Sequence, residues 1–336
     1  MAGHRGRVLV TGGAGYVGAV LVPKLLAAGY HVRVIDLFLF GDDVLPVDSA
    51  LQSVRGDIRD RVLLEREMRG VDAVIHLACI SNDPSFELNP TLSRTINYDC
   101  FEPLVDVARR AGVRRFIYAS TSSVYGVSDA PDVTEEHPLV PLTDYNKYKG
   151  MCEPILLRYQ SPGFTTVIIR PATVCGYSPR LRLDLTVNIL TNLAVNKGAI
   201  RIFGGSQKRP NIHIDDITDL YVALLDMQDD LIAGQTFNAA YQNRTVAELG
   251  ELVHAVVTRA MPERGPIRLE TSPSNDLRSY HVSSDKIKRA LGWTPEKTIE
   301  DAVDDLCRAF RAGRVPDPLT NPRYYNVRTI QASGLV

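Results

Sequence analysis

A glycine-rich turn between an apolar run and a helical stretch constrains the fold of this chain more than any other feature. The run at residues 7–11 (RVLVT) leads directly into GGAGYVG, in which Gly12, Gly15 and Gly18 recur at every third position. Glycines at this spacing allow a tight turn and let a diphosphate approach the backbone at the positive N-terminus of the following helix. The pattern predicts a strand, a phosphate-binding turn and a helix over residues 7–28.

The acidic residue at the end of the second apolar run decides which dinucleotide is expected. Asp36 lies 18 residues beyond Gly18 and is followed by Leu37 and Phe38. A carboxylate at this point accepts hydrogen bonds from the adenosine ribose hydroxyls and repels a 2′-phosphate, and no neighbouring arginine invites that phosphate. The cofactor expected from the sequence is therefore NAD rather than NADP.

The rest of the first half alternates short apolar runs with helical stretches. Runs at 73–77, 115–119 and 166–170 are rich in hydrophobic residues, which is typical of parallel strands covered on both faces. We therefore predict an α/β fold, with a Rossmann-type doubly wound parallel sheet and a smaller mixed C-terminal substrate lobe.

A change of rhythm beyond residue 175 suggests the domain limits. Residues 1–175 are predicted to form the NAD-binding domain, which the chain rejoins at about 212–242. Residues 176–211 and 243–336 are predicted to form the substrate-binding lobe. Helices of this second half are expected at about 184–197, 215–227, 245–260, 284–291 and 298–312.

Charge and cysteine usage exclude several classes of function. The 38 basic and 39 acidic side chains give a net charge of −1, without the basic excess that binds nucleic acids or anionic membrane surfaces. No apolar run approaches the ~18 residues of a membrane helix, and the first apolar run is too short for a signal peptide. The five cysteines are widely spaced and form no CxxC pair. We expect no metal site, no disulfide framework and a cytoplasmic protein.

A tyrosine and a lysine four residues apart supply a candidate catalytic pair. Tyr145 and Lys149 share one face of a predicted helix. A lysine ammonium beside a phenol favours the phenolate, which makes Tyr145 a candidate general acid and base. Upstream, a hydroxyl-rich segment at 119–126 (ASTSSVYG) follows a predicted strand, at the end where ligands bind in this architecture. The turn, the hydroxyl segment and the Tyr/Lys pair are together hard to explain by packing alone.

These features resemble an extended short-chain dehydrogenase/reductase of the NAD-dependent epimerase/dehydratase family, whose members modify nucleotide sugars. The chain is similar in type to the UDP-glucose 4-epimerases of that family, and the resemblance covers nearly its whole length. It rests on residues 11–18, 56–58, 76–78, Asn97, 120–126, Tyr145 with Lys149, 170–171, 209–215, 291–293 and Pro295.

The resemblance implies roles for individual positions. Thr121 would hydrogen-bond the sugar hydroxyl that is oxidised, Tyr145 would move its proton, and Lys149 would hold the nicotinamide ribose and tune Tyr145. Residues expected to contact NAD are Gly12, Gly15, Tyr16, Val17, Asp36, Asp57, Ile58, Leu77, Ala78, Asn97, Ser120, Tyr145, Lys149 and Pro171. Residues expected to contact the nucleotide-diphosphate sugar are Ser81, Asn82, Ser122, Ser123, Asn188, Arg209 and Arg278, the two arginines at its diphosphate. The family's asparagine near this diphosphate aligns with either Asp184 or Asn188.

The two residues after Thr121 discriminate between the reactions of this family. By the resemblance, sugar 4,6-dehydratases carry Asp-Glu where this chain has Ser122 and Ser123. The UDP-glucuronate decarboxylases place Glu at the position of Ser123, and the 3,5-epimerase/reductases of the GDP-fucose type place cysteine there. Small hydroxyl residues are similar to the 4-epimerases. The expected reaction is therefore inversion of C4 through a transient 4-keto sugar, which is redox-neutral and needs only retained NAD.

Other readings stay open at this point. The first is a 4-ketoreductase of nucleotide sugars, or an epimerase at C3, C5 or C2. A second class is a non-catalytic NAD-binding regulator, although such proteins usually lose the Tyr/Lys pair. The resemblance also implies a homodimer, formed by the predicted helices at about 97–111 and 144–160.

Overall fold

A parallel sheet with helices on both faces forms the centre of the protein, of which the computed structural model describes residues 5–273, 279 and 281–335. The strands are β1 (Arg7–Thr11), β2 (His31–Asp36), β3 (Leu51–Arg55), β4 (Ala73–His76), β5 (Arg115–Ala119), β6 (Thr165–Pro171), β7 (Thr173–Cys175), β8 (Ala199–Phe203), β9 (Lys208–His213), β10 (Gln235–Ala239), β11 (Gln242–Thr245) and β12 (Arg268–Ser272). Seven of these described strands pair in the order β10-β6-β5-β4-β1-β2-β3, all parallel. The predicted doubly wound parallel sheet is confirmed.

The helices connect these strands as the alternating pattern predicted. They are α1 (Gly18–Ala27), α2 (Arg61–Glu67), α3 (Asp83–Phe86), α4 (Pro90–Arg94), α5 (Phe101–Arg110), α6 (Asp144–Arg158), α7 (Thr186–Lys197), α8 (Ile214–Asp226), α9 (Asp229–Ile232), α10 (Val246–Ala260), α11 (Asp285–Leu291), α12 (Ile299–Arg311) and α13 (Asn326–Ala332). A π-helical turn (Thr95–Asp99) precedes α5. Within the part of the chain described here, no helix is long and apolar enough to cross a membrane.

The central strands bury side chains on both faces because successive residues point to opposite sides. In β1, Val8 and Val10 pack in a core shared with α1 and α8, whereas Leu9 packs in a second core with α2, α5 and α6. Each of these three side chains is at most 1% exposed. These strands therefore need near-continuous apolar runs, which explains why they could be predicted from the sequence.

A second, smaller lobe is built from the later part of the chain. Its three-stranded sheet, in the order β11-β9-β7, is mixed, and β8 pairs with β12 in a separate two-stranded sheet. Helices α7, α10 and α12 pack around a core of their own. The chain also returns to the main sheet, where β10 pairs with β6. The domain limits proposed from the sequence, 1–175 with 212–242 and 176–211 with 243–336, stay a prediction.

Candidate active site

A cavity of about 500 Å³ lies at the carboxyl ends of the central strands and extends to the second lobe. Its wall includes the glycine-rich turn, the ends of β2, β4, β5 and β6, and one face of α6. The second lobe contributes Arg180, Arg182, Asp184, Leu185, Thr186 and Arg209, and the C-terminal segment contributes Asn326, Ile330 and Leu335. Ligands bind at this edge of a doubly wound sheet, where the strand order reverses.

The glycine-rich turn is shaped for close approach of a ligand to the backbone. Gly12 has φ +74°, and a Cβ built on it would lie 2.7 Å from backbone atoms of Ala78. A Cβ on Gly18 would lie 2.4 Å from the carbonyl oxygen of Gly13. A side chain at either position would force the turn to move. Because the turn leads into the amino end of α1, which attracts anions, it fits the diphosphate of a dinucleotide.

Asp36 ends β2 on the cavity wall, and two backbone donors fix its carboxylate. Ala14 N donates to Oδ2 over 2.9 Å, and Phe38 N donates to Oδ1 over 2.8 Å. Burial raises the pKa of Asp36, and these two N–H groups act in the opposite direction. A rigid carboxylate at this point matches the ribose hydroxyls of NAD. The described residues therefore fit this cofactor at both its diphosphate and its adenosine ribose.

Most of the residues predicted to contact the cofactor lie along this cavity. Those that line it are Gly12, Gly15, Tyr16, Val17, Asp36, Asp57, Ile58, Leu77, Ala78, Ser120, Tyr145, Lys149 and Pro171.

Gly12 offers a direct test of whether the glycine-rich turn binds NAD. We expect Gly12→Ala to weaken NAD binding by at least about tenfold, because the added methyl meets the backbone of Ala78 and strains a left-handed residue. The matched control is Gly29→Ala, at a residue with φ +87° and nothing within 4 Å of the added Cβ. Titration calorimetry with NAD measures both variants. Equal affinities for NAD in the two variants would contradict binding of the NAD diphosphate at the glycine-rich turn.

Helix α6 carries Tyr145 and Lys149 to the cavity. Lys149 is 3% exposed, and its Nζ donates to the carbonyl oxygen of Ala119 over 2.5 Å. The same Nζ lies 4.8 Å from the ring centre of Tyr118. These contacts hold the ammonium at the end of β5, where the hydroxyl segment begins.

Thr121 lies on the cavity wall at the point where β5 ends. It is the N-cap of a short 3₁₀ helix (Ser122–Tyr125), and its Oγ1 accepts from Ser123 N over 3.2 Å. Thr121 and Ser123 both line the cavity with Tyr145 and Lys149. The structure thus brings together the three residues that the sequence proposed as catalytic.

The N-cap of α6 ties this helix to the loop after β4. The Thr143 hydroxyl accepts from Asn146 N and donates to Asp83 Oδ1 over 2.6 Å. The neighbouring Asn82 has φ +75°, an uncommon conformation for a residue other than glycine. Ser81 and Asn82, which were predicted to contact the substrate, line the cavity. The loop is therefore held against the end of the helix that carries Tyr145.

An ion pair from the second lobe faces this loop. Arg182 Nε lies 2.9 Å from Asp184 Oδ1, Arg182 Nη1 donates to Ser81 Oγ over 3.3 Å, and Asn82 Nδ2 donates to Asp184 Oδ2 over 3.3 Å. Burial raises the pKa of Asp184, but the Arg182 guanidinium outweighs it and holds that pKa below its usual range. Arg182, Asp184 and Tyr145 line the same cavity, and Tyr145 acts electrostatically on Arg182. Arg209 lies on the same cavity wall.

Three residues predicted to contact ligands are placed behind the wall. Asn97 binds the backbone of Ile80, accepting from its N over 2.8 Å and donating to its O over 2.9 Å. Asn188 accepts from Gly176 N over 3.1 Å and donates to Arg182 O over 2.8 Å. The third residue, Ser122, is 1% exposed. The polar atoms of both asparagines position loops and Ser122 is covered, so the direct ligand contacts of these three residues stay predictions from the sequence. Of the two candidates near the diphosphate, Asp184 lines the cavity.

The predicted substrate residue Arg278 lies outside the described residues. The structure also brings residues to the cavity wall that were not predicted from the sequence. Among them are Arg180 and three residues of the C-terminal segment, Asn326, Ile330 and Leu335. Asn326 N donates to Asp184 Oδ2 over 3.2 Å across 142 residues of chain, and no local pattern announces such a contact. For Arg180, the basic composition of the segment from 180 to 188 was the available signal.

A buried ion pair supports the strand end that carries the hydroxyl segment. Glu153, on α6 four residues after Lys149, accepts from Ser120 Oγ over 2.5 Å, and its Oε2 lies 2.6 Å from Arg170 Nη2. Arg170 Nη1 donates to Tyr125 OH over 2.6 Å. Ser120 lines the cavity, so this network connects the wall to the core.

The chain is similar to known proteins over most of its length. Residues 8–240 match the NAD dependent epimerase/dehydratase family. A UDP-glucose 4-epimerase of Azospirillum brasilense is 29% identical over 324 residues, which cover 90% of each chain. UDP-glucuronic acid decarboxylase 1 of Arabidopsis thaliana is 28% identical over 319 residues, which cover 91% of this chain and 70% of that protein.

A solved structure extends the comparison to the fold and the cofactor. DesIV, a dTDP-glucose 4,6-dehydratase from Streptomyces venezuelae crystallised with NAD bound, superimposes with a TM-score of 0.81. The match covers 94% of this chain and 100% of that chain, at 27% identity. The protein is therefore an enzyme of the NAD dependent epimerase/dehydratase family, and its cofactor is NAD.

Proposed function

We propose that the protein is a nucleotide-sugar 4-epimerase, which oxidises the C4 hydroxyl of the sugar to a ketone and reduces it again from the opposite face. The observation that carries this proposal is the chemistry of the segment beside Tyr145. Thr121 and Ser123 line the cavity and Ser122 lies beneath it, at the positions where the family's dehydratases carry two carboxylates. Hydroxyl groups cannot act as carboxylate acids and bases at neutral pH.

The proposed roles of the residues follow from the order of bond changes. Bound NAD supplies the hydride acceptor and later the hydride donor. Tyr145, as the phenolate, takes the proton of the C4 hydroxyl as the C4–H hydride leaves, and returns it when the hydride comes back on the other face. Thr121 hydrogen-bonds the C4 oxygen, and Lys149 stabilises the phenolate by its positive charge. The net change is inversion at C4, with no net gain or loss of electrons.

The carboxylates on the cavity wall support a reaction without carbon-acid chemistry. Among the described lining residues, the acidic side chains are Asp36, Asp57, Asp83 and Asp184. Each has a partner within the protein: backbone N–H groups for Asp36, Arg59 for Asp57, Thr143 for Asp83 and Arg182 for Asp184. Proton abstraction at C3, C5 or C6 requires a base beyond Tyr145. Return of the same hydride at C4 does not.

The same wall suggests the substrate class. Arg209 provides positive charge for a diphosphate, in agreement with the nucleotide sugars named for the related proteins. The charge of Arg182 is balanced by Asp184 over 2.9 Å, so the sugar end of the cavity does not require a charged substituent. We therefore favour a neutral sugar over a uronic acid. The arrangement supports an epimerase more than a decarboxylase, since Ser123 stands where decarboxylases of the family carry Glu.

An incubation in heavy water tests the proposal. The protein is supplied with UDP-, dTDP-, GDP-, ADP- and CDP-sugars without reduced cofactor, and products are identified by chromatography and mass spectrometry. Protein carrying Tyr145→Phe measures the background. We expect one sugar to give an isomer of unchanged mass, because the hydride leaves and returns within the site.

Other products would contradict a 4-epimerase in distinct ways. An isomer that carries solvent deuterium would indicate proton abstraction at C3, C5 or C2. Loss of water would indicate a dehydratase, and loss of carbon dioxide a decarboxylase. Conversion of a 4-keto sugar only when reduced cofactor is added would indicate a ketoreductase. The homodimer and the cytoplasmic location stay predictions from the sequence.

A further inference from the structure

Arg180 is a buried arginine on the cavity wall whose hydrogen-bonding groups are only partly used. It is 1% exposed, and its Nη2 donates to Asn326 Oδ1. Its Nε and Nη1 have no hydrogen-bond partner among the described residues. A buried polar group without a partner is costly, and more so when it is charged. Among the described residues no carboxylate is hydrogen-bonded to this side chain, although Asp184 and Asp36 act on it electrostatically.

The guanidinium lies at the cavity wall, where an aromatic ring covers one of its faces. The Arg180 Cζ lies 3.5 Å from the ring centre of Phe40, so one face of the planar group is covered. The N–H groups of a stacked guanidinium lie in its plane and stay available for an acceptor. Burial lowers the pKa of Arg180 to about 9, and the neighbouring Arg182 acts in the same direction. The carboxylates of Asp184 and Asp36 offset part of this lowering, and an anion bound in the cavity would offset more of it.

The position of Arg180 along the cavity identifies that anion. Arg180 N donates to Ser178 Oγ over 3.3 Å, and Ser178 Oγ donates to the carbonyl oxygen of Tyr16 over 2.8 Å. Tyr16 belongs to the glycine-rich turn, and Phe40 follows Asp36 by four residues. Asp36 acts electrostatically on Arg180, but its oxygens accept from Ala14 N and Phe38 N. The backbone of Arg180 is therefore tied to the glycine-rich turn through Ser178, and its guanidinium lies close enough to Asp36 to feel the charge of that carboxylate.

We propose that Arg180 binds the diphosphate of NAD from the second lobe, on the side opposite the glycine-rich turn. The turn supplies backbone N–H groups and Arg180 supplies the positive charge that those groups lack. Because Arg180 lies after β7 in the substrate-binding lobe, cofactor binding connects that lobe to the main sheet. This role concerns the cofactor and holds whichever reaction the enzyme catalyses.

The variant Arg180→Met tests this role with measurements that do not need turnover. Methionine keeps an apolar chain of similar length over Phe40 and removes the charge. We expect the affinity for NAD and for ADP to fall about 10- to 100-fold, as for loss of a charged hydrogen bond. The affinity for adenosine, which has no phosphate, is expected to stay unchanged. Titration calorimetry on protein stripped of nucleotide measures the three ligands.

Thermal unfolding separates a ligand-binding arginine from a structural one. Without nucleotide, Arg180→Met is expected to have a Tm equal to or above that of the wild type, because a buried charge with unused donors is removed. With saturating NAD its Tm is expected to rise less than that of the wild type. Arg314→Met serves as the matched control, since Arg314 stacks on the Tyr177 ring at 4.5 Å and is not part of the cavity wall.

Three outcomes would overturn the proposal. Equal losses for adenosine and ADP would show that Arg180 supports the ribose-binding loop instead of the diphosphate. Unchanged affinity for NAD and ADP would show that it does not bind phosphate. A lower Tm without nucleotide, with unchanged phosphate affinity, would show a purely structural side chain. Partial recovery of ADP affinity in Arg180→Lys would support the charge as the cause.

Discussion

Replacing Tyr145 by phenylalanine is expected to lower kcat by about 10²- to 10⁴-fold, the usual contribution of a positioned general acid and base. In the proposed reaction the phenol takes the proton of the sugar hydroxyl, and Tyr145 and Lys149 both line the cavity from α6. Bound NAD and the Tm of the protein should stay unchanged, because only one hydroxyl is removed. Two quantities are measured. One is the turnover of the sugar that the heavy-water experiment identifies, and the other is the amount of NAD bound per chain.

Tyr148 provides the matched control on the same helix. Its ring packs against Phe86 and Tyr98, with ring centres 5.7 and 5.4 Å away, and it does not belong to the cavity wall. Tyr148→Phe should therefore keep kcat within about twofold of the wild type, as for a substitution away from the chemistry. Full turnover in Tyr145→Phe would show that another group moves the proton. If the wild type shows no turnover and Tyr145→Phe keeps the NAD-dependent function of the protein, the class of non-catalytic NAD-binding regulators is favoured instead.

The strands that carry the cofactor turn were predictable because they are buried on both faces. The runs at 7–11, 31–36 and 115–119 coincide with β1, β2 and β5. β2 and β5 end in residues that line the cavity, Asp36 and Ala119, and β1 leads directly into Gly12, which also lines it. Burial on both faces demands consecutive apolar residues. The glycines and Asp36 then appear at fixed offsets, since a turn that approaches a diphosphate accepts few other residues.

The edge strand β3 was missed for the opposite reason. β3 (LQSVR) runs beside β2 at the edge of the sheet, and its residues are exposed or only partly buried. Such a strand is held mainly by backbone pairing with its neighbour, which leaves little trace in the pattern of side chains.

The expected helix at 97–111 is also corrected. A π-helical turn ends at Asp99, and Pro103 falls in the first turn of α5, where a backbone N–H is not required.

The site was predictable where a motif carries it and not where folding alone assembles it. Thr121, Tyr145 and Lys149 stand in recognisable local patterns, and the structure brings them to one cavity. Arg180 and Asn326 reach the wall through contacts between distant segments, 146 residues apart in the chain. Contacts of this kind depend on the packing of the two lobes, which single-sequence patterns do not contain.

Removing Glu153 is expected to lower the free energy of unfolding by about 3–5 kcal/mol, the usual cost of leaving one partner of a buried ion pair alone. The side chains of Glu153 and Arg170 are 4% and 7% exposed, with Nη2 and Oε2 2.6 Å apart. Burial lowers the pKa of Arg170, but Glu153 outweighs it and raises that pKa. In Glu153→Leu the guanidinium therefore stays charged and loses its counterion. Urea unfolding at saturating NAD measures the change.

A double variant shows whether the loss comes from the unpaired charge or from the cavity wall. Glu153→Leu with Arg170→Met should recover most of the stability, because apolar residues that replace both partners of a buried pair are often tolerated. Glu270→Gln breaks an exposed pair with Arg201, 3.4 Å apart, and should cost less than about 1 kcal/mol. The double variant still loses the hydrogen bond from Ser120 Oγ to Glu153. If the double variant is stable but turns over slowly, the buried pair serves mainly to position the wall beside Thr121. If both its stability and its turnover stay low, the charge balance of the buried pair supports the fold itself.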